Sequence, residues 1–185
     1  MNDPGDSTPS VSSVEPAPAE PEPPERLSVT ILDEAGDWSA FATREGAIRA
    51  AAAALAAHPR CEEAQGAEAC VVLADDALLK SLNRTYRGKD APTNVLSFPF
   101  AGPPGAVGPG QLGDVVLAAE TVCNEAREQG VAPIHHLQHL VVHGLLHLLG
   151  FDHDTEAQAE VMERLEVQIL AALGVPDPYA AAEGP

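Results

Sequence analysis

The chain has 185 residues, 45% of them hydrophobic, and a formal net charge of −18 at pH 7. This length and composition predict one domain with a hydrophobic core. The strong negative charge argues against a broad surface for binding polyanions, and no stretch approaches the ~18 apolar residues of a membrane span.

The N-terminal end differs in composition from the rest. Residues 1–25 contain seven of the 17 prolines and six acidic residues, with no Lys or Arg. Such a segment cannot bury enough apolar surface to offset the entropy lost on ordering. We therefore expect a disordered acidic arm over residues 1–26, a folded domain over 27–179 and a flexible tail over 180–185. The arm lacks the charged and apolar regions of a secretory signal.

Three cysteines, Cys61, Cys70 and Cys123, are scattered along the chain without the spacing of a metal site or a disulfide framework. They are typical of reduced thiols, which predicts a cytoplasmic protein.

Hydrophobic patterns predict strands at residues 27–32, 69–73, 93–100 and 112–117. Helical spacing, with Gly and Pro at the ends, predicts helices over 44–58, 76–87, 120–129, 134–149 and 156–173. Residues 102–110 contain four Gly and three Pro. They predict either a flexible hairpin-type connection or a loop over a site. The expected fold class is α+β, with a small four-stranded mixed sheet and packed helices.

A histidine motif lies near the end of the fourth predicted helix. His143 and His147 are four residues apart, so their side chains share one helical face. Gly150 is expected to end the helix and let the chain turn back, which brings His153 toward the same point. Three imidazoles leave one tetrahedral position open, which is typical of catalytic zinc. The motif thus predicts a zincin-like metal helix with one zinc per chain, and a buried structural histidine pair is the alternative.

The same spacing occurs in metzincin proteases, but their motif has a Glu directly after the first His. Position 144 is Gly here, so the general base of a peptidase is missing. Asp152 and Asp154 are the acidic residues closest in sequence. Either could orient an imidazole, activate water or cap the next helix. We expect Asp152 to orient a ligand or act in catalysis, and Asp154 to be the cap.

Other polar residues near the motif are candidates for contacts with a substrate. His139 precedes His143 by one helical turn and is expected to support the site or touch the substrate, whereas His135 and His136 are expected to be solvated. Arg84, Arg87 and Lys89, together with Lys80, form a local basic cluster that could bind a phosphate backbone. A solvated helix end is the alternative interpretation of that cluster.

Four segments, at residues 82–90, 92–100, 112–116 and 139–153, together resemble the bacterial YbeY family. The likeness runs from about residue 27 to Tyr179 and does not include the N-terminal arm. Phe151 stands where the family motif often has Tyr, and Asn94 where many members have Asp. Neither departure affects a metal ligand.

The resemblance implies a metal-dependent, single-strand-specific endoribonuclease that acts in the maturation of 16S and other ribosomal RNA and in ribosome quality control. It implies that His143, His147 and His153 are zinc ligands and that Arg87 is functionally important. The expected partners are single-stranded RNA, ribosomal RNA and the ribosome, with no DNA and no membrane.

The chemistry of these residues agrees with that expectation. Zinc held by neutral imidazoles activates water and polarises a phosphoryl oxygen. Arg87 offers a permanently charged fork for the charge that develops on a phosphate, while Arg84 and Lys89 could guide the strand. Two alternatives remain: a non-catalytic, zinc-stabilised ribosome-assembly or RNA-binding factor, and a metzincin-like peptidase.

Overall fold

The computed structural model describes residues 27–101 and 110–180. The predicted arm at 1–26, nearly all of the predicted connection at 102–110 and residues 181–185 of the predicted tail lie outside the described residues. Among the described residues, no helix has both the length and the apolar character needed to cross a bilayer.

Within the described residues, four strands form one mixed sheet, as the sequence predicts. They are β1 (Leu27–Asp33), β2 (Ala67–Ala74), β3 (Val95–Pro99) and β4 (Gln111–Ala118). The order across the sheet is β1-β2-β4-β3, in which β1, β2 and β4 are parallel and β3 pairs antiparallel to β4. Strand β3 is thus at one edge of the sheet, beside β4, and β4 leads directly into α3.

In the part of the chain that the structure describes, five α-helices accompany the sheet at the predicted places, with ends that differ by a few residues. They are α1 (Arg44–Ala57), α2 (Asp76–Arg87), α3 (Ala119–Gln129), α4 (Pro133–Leu148) and α5 (Glu156–Ala172). A short 3₁₀ helix at Pro59–Ala64, which the sequence patterns did not predict, follows α1.

The prediction that Asp154 caps α5 is wrong. The N-cap is Thr155, whose hydroxyl accepts from the backbone N–H of Gln158 while the Gln158 side chain accepts from the Thr155 backbone N–H. This reciprocal pair is a capping box, and it satisfies two backbone donors at the start of the helix.

Alternating residues of the central strands face two separate apolar clusters. Val71 and Val115 pack in the main core, together with α1, α4 and α5. Ala74 and Val116 face the other side, where they pack with Leu79 of α2. The two faces of the sheet thus carry different helices, with α4 on one and α2 on the other.

Helix α4 lies very close to the sheet at Gly144. A Cβ atom at this position would lie 2.6 Å from Cγ1 of Val115 and 3.2 Å from Oγ of Ser97. The Ser97 hydroxyl also donates to the Gly144 carbonyl oxygen at 3.1 Å. Position 144 therefore faces β3 and β4, and a metzincin-type Glu would not fit there.

Candidate metal centre

Two histidines of the motif lie one turn apart on α4, and the turn at the end of that helix sets the position of the third. Gly150 has a φ of +85°, a conformation that glycine adopts without steric cost. Its N–H donates to the carbonyl of His147, and the N–H of Phe151 donates to the carbonyl of Leu146. This pair of bonds is a Schellman motif, which turns the chain back along the helix. His153 follows directly on the returning segment.

The three imidazoles meet at one point. Single ring nitrogens of His143, His147 and His153 all lie within 4.8 Å of one another. The Nε2 atoms of His143 and His147 are 3.1 Å apart. Two nitrogens bound at about 2.0–2.1 Å to one tetrahedral zinc ion would be about 3.3–3.4 Å apart, so this separation fits a shared ion.

The protonation of the central histidine also suits metal binding. Burial lowers the pKa of His147, and the neighbouring His143 and His153 lower it further. A lowered pKa favours the neutral imidazole, which is the form that binds a metal ion.

A buried carboxylate lies behind the triad. Oε1 of Glu166, on α5, is 2.7 Å from Nδ1 of His143. Its other oxygen, Oε2, accepts a hydrogen bond from the Tyr179 hydroxyl and lies 3.5 Å from Nε2 of His139. The Glu166 side chain has an exposed fraction of 0%. His139 therefore contacts this buried network and also forms part of the wall of the site.

Hydrogen bonds keep the Glu166 carboxylate ionised in spite of its burial. Burial alone would raise the pKa of Glu166, but hydrogen bonds with His139, His143 and Tyr179 lower it to about 2. Burial raises the pKa of Tyr179, and the adjacent Glu166 raises it further. The stable arrangement is thus an ionised Glu166 that accepts from a neutral phenol and from imidazole N–H groups.

A groove of about 280 Å³ runs beside the triad. It is lined by Asn94, Val95, Glu125, Gln129, His136, His139, Leu140, His143 and Tyr179. Oε2 of Glu125 accepts from the Asn94 amide at 2.9 Å and lies 2.8 Å from Nε2 of His136. Small-molecule pockets are typically about 300–1,000 Å³, so this groove lies just below that range and has room for part of a small ligand.

The prediction that His136 is solvated is wrong. Its side chain is only 5% exposed, and burial lowers its pKa, although the hydrogen bond with Glu125 acts in the opposite direction. The contact partner comes from α3, which the sequence pattern around His136 does not reveal. His136 thus forms part of the groove wall.

The structure places the remaining predicted residues on exposed segments. Arg84 and Arg87 occupy the last turn of α2, and Lys89 follows Gly88, which ends that helix with a φ of +68°. Asp152 is exposed, and its carboxylate accepts from the backbone N–H of His153 at 2.8 Å. Asp152 thus contacts the backbone of a predicted ligand. Arg84 and Arg87 belong to α2, which packs on the opposite face of the sheet from α4, and Lys89 follows that helix.

Two residues of the site, Glu166 and Tyr179, were missed by the sequence reasoning. Glu166 carried a signal, because it falls among buried apolar residues of α5 at helical spacing: Met162, Leu165, Ile169 and Leu170. An acidic residue in such a stripe needs a partner to offset its loss of hydration. Tyr179 lies after α5, and no periodic pattern places it.

The fold and the triad define an α+β protein with three histidines placed so that they could hold a metal ion. Residues 37–174 match the family described as Endoribonuclease YbeY. This match spans most of the chain, and the chain belongs to the YbeY family.

Two sequence relatives agree with this assignment, and one solved structure is also similar. An Endoribonuclease YbeY from Azorhizobium caulinodans is 53% identical over 160 residues, which cover 85% of this chain and all of the relative. Another from Parvibaculum lavamentivorans is 52% identical over 163 residues, or 84% of this chain and 86% of the relative. The solution structure of TM1509 from Thermotoga maritima is 21% identical, covers 85% of this chain and 99% of that one, and has a TM-score of 0.48.

Proposed function

We propose that this chain is a zinc-dependent, single-strand-specific endoribonuclease of the cytoplasm. It acts in the maturation of 16S and other ribosomal RNA and in ribosome quality control, with one zinc ion per chain. The observation that carries the proposal is the convergence of three imidazoles, two of them 3.1 Å apart, in a member of an endoribonuclease family.

We assign the residues proposed roles from their positions and their chemistry. His143, His147 and His153 hold the ion, which when bound supplies a Lewis acid that acidifies water and polarises the phosphodiester. Asp152 is proposed to accept a proton, because its exposed carboxylate lies beside the His153 backbone.

The basic end of α2 is proposed to bind the RNA backbone. Cleavage develops negative charge on the non-bridging phosphate oxygens, and the Arg87 guanidinium presents a planar donor fork to that charge. Arg84 and Lys89 hold neighbouring phosphates, and His139 contacts the RNA from the groove wall. Asn94 lines the same groove as His139.

The size of the groove supports the proposed preference for single strands. Its volume of about 280 Å³ suits part of a small ligand such as one nucleotide. In a duplex, bases are stacked and paired, whereas an unpaired strand can turn a nucleotide into such a cavity. The acidity of the whole chain, −18, limits binding of RNA elsewhere on the surface.

The test is cleavage of a labelled single-stranded RNA and its duplex by zinc-quantified protein. His147→Ala removes a ligand, and His135→Ala is its control, because it removes an imidazole from the same helix outside the triad. Arg87→Ala is paired with Arg164→Ala, which removes an exposed arginine from α5. Urea denaturation of each variant checks that it is folded.

We expect cleavage of the single strand only, its loss in His147→Ala and Arg87→Ala, and normal cleavage by both controls. Zinc content should fall in His147→Ala and stay normal in Arg87→Ala. Full activity of His147→Ala would contradict the metal centre. Stoichiometric zinc with no cleavage of any RNA would instead favour the non-catalytic assembly factor.

A further inference from the structure

We propose that Glu166 is a positioning residue that orients His143 and fixes its tautomer for metal binding, and that Tyr179 holds the Glu166 carboxylate in place. The inference rests on the proposed metal site and extends it to two residues that do not bind the ion. Both are far from His143 in sequence. Glu166 reaches His143 through the packing of α5 on α4, and Tyr179, which follows α5, contacts Glu166.

The geometry assigns a different partner to each nitrogen of His143. Nδ1 lies 2.7 Å from the Glu166 carboxylate, while Nε2 lies 3.1 Å from Nε2 of His147. A carboxylate can only accept, so it selects the tautomer with the proton on Nδ1. The lone pair then lies on Nε2, the atom that faces His147. Histidine ligands of metal ions generally have such a partner on their second nitrogen.

The burial of Glu166 argues against a role in packing alone. Its neighbours on the buried face of α5 are Met162, Leu165, Ile169 and Leu170. An apolar side chain at position 166 would continue that face, whereas an ionised carboxylate loses its hydration there. Hydrogen bonds from His143 and Tyr179 offset that loss, so the carboxylate is retained at the place where it orients a ligand.

Tyr179 fixes the other side of the carboxylate. Its hydroxyl donates to Oε2 of Glu166 and lies 3.3 Å from Nε2 of His139. The N–H of Tyr179 donates to the Asp177 carboxylate at 2.8 Å, which holds the segment after α5 in a turn. Tyr179 lies beyond residues 37–174 that match the family. The C-terminal segment thus contributes to the metal centre from outside that match.

Zinc affinity measures the proposed role. Glu166→Gln removes the charge while keeping the shape, and Tyr179→Phe removes only the hydroxyl. Glu160→Gln is the matched control, because it makes the same change at an exposed position of α5. The affinity of each protein for zinc is measured by competition with a chromophoric chelator. Urea denaturation of the metal-free forms reports the stability of the fold separately.

We expect Glu166→Gln to bind zinc about 10–100-fold more weakly than the wild type, as found for other partners of ligand histidines. Tyr179→Phe should show a smaller loss, and Glu160→Gln none. Nitrogen-15 NMR of the histidines in the metal-free protein gives a readout that a purely structural role would not change. His143 should carry its proton on Nδ1 in the wild type and lose that preference in Glu166→Gln.

Equal zinc affinity and an unchanged His143 tautomer in Glu166→Gln would overturn the inference while leaving the metal site intact. If Glu166→Gln does not fold, two other variants test the inference. Unchanged zinc affinity and an unchanged His143 tautomer in Tyr179→Phe would overturn the role of Tyr179. An unchanged His143 tautomer in Glu166→Asp, whose shorter side chain withdraws the carboxylate, would overturn the role of Glu166. A wild type that binds no zinc would instead refute the proposed function itself.

Discussion

Helix α4 packs so closely against β4 at position 144 that only glycine is expected to fit there. The substitution Gly144→Ala tests this. The added Cβ would lie 2.6 Å from Cγ1 and 3.0 Å from Cγ2 of Val115, a residue with no exposed surface. Real Cβ atoms essentially never approach other atoms below 3.0 Å, so the helix or the strand must shift.

The expected change in the free energy of unfolding for Gly144→Ala follows from two opposed effects. Overpacking a core costs about 1–3 kcal/mol, whereas Gly→Ala in a helix interior contributes about 0.8–1 kcal/mol of stability. We therefore expect Gly144→Ala to lower the free energy of unfolding by about 1 kcal/mol. In the Val115→Ala background the two contacts with Val115 are removed and only Oγ of Ser97, at 3.2 Å, remains close, so the same substitution should raise the free energy of unfolding by about 1 kcal/mol if the Ser97 side chain shifts slightly.

The assay is urea denaturation of the two single variants and the double variant. Gly46→Ala on α1 is the control, because its Cβ would have no atom within 4 Å and the change should stabilise the protein. The expected sign reversal of Gly144→Ala between the two backgrounds is a coupling of about 2 kcal/mol, within the range for contacting residues. Additive effects, or stabilisation of the wild type by Gly144→Ala, would refute the packing argument.

Three further outcomes are expected. Thr155→Ala removes the capping box of α5 and should lower the free energy of unfolding by about 1 kcal/mol, as measured by urea denaturation. An unchanged urea midpoint would contradict the role of Thr155 as the N-cap. RNA binding to single strands should weaken with salt, and Arg84→Ala should lower the log–log slope by about 0.7; an unchanged slope would remove Arg84 from the RNA contacts. Burial raises the pKa of the Cys61 thiol to about 11. At about pH 8 the thiol is therefore neutral, and mass spectrometry should show alkylation of Cys61 by iodoacetamide only in the unfolded chain; rapid labelling of the folded protein would contradict this.

Local patterns predicted the part of the site that is local in sequence. His143 and His147 share a face because helical periodicity places them one turn apart, and Gly150 ends the helix as expected with a positive φ. The capping box at Thr155 and Gln158 was also readable from spacing, but the interpretation favoured Asp154 instead.

Long-range packing supplied what local patterns could not. Glu166 reaches His143 because α5 packs on α4, and Glu125 buries His136 because α3 lies beside the start of α4. Hydrophobic periodicity and residue propensity predict the helices and strands but not how they pack against one another. The position of Glu166 within an apolar stripe indicated that it needs a partner, but nothing local indicated that the partner is His143. The strand order β1-β2-β4-β3 is likewise a property of the connections between strands.

The most direct test of the central claim is a titration of the metal-free protein with zinc while the rate of single-stranded RNA cleavage is measured. The rate should rise in proportion to zinc and level off at one equivalent per chain, since one triad binds one ion. His147→Ala should show no such break. Cleavage that is independent of zinc, or equal in His147→Ala, would contradict the assignment of the reaction to the three histidines.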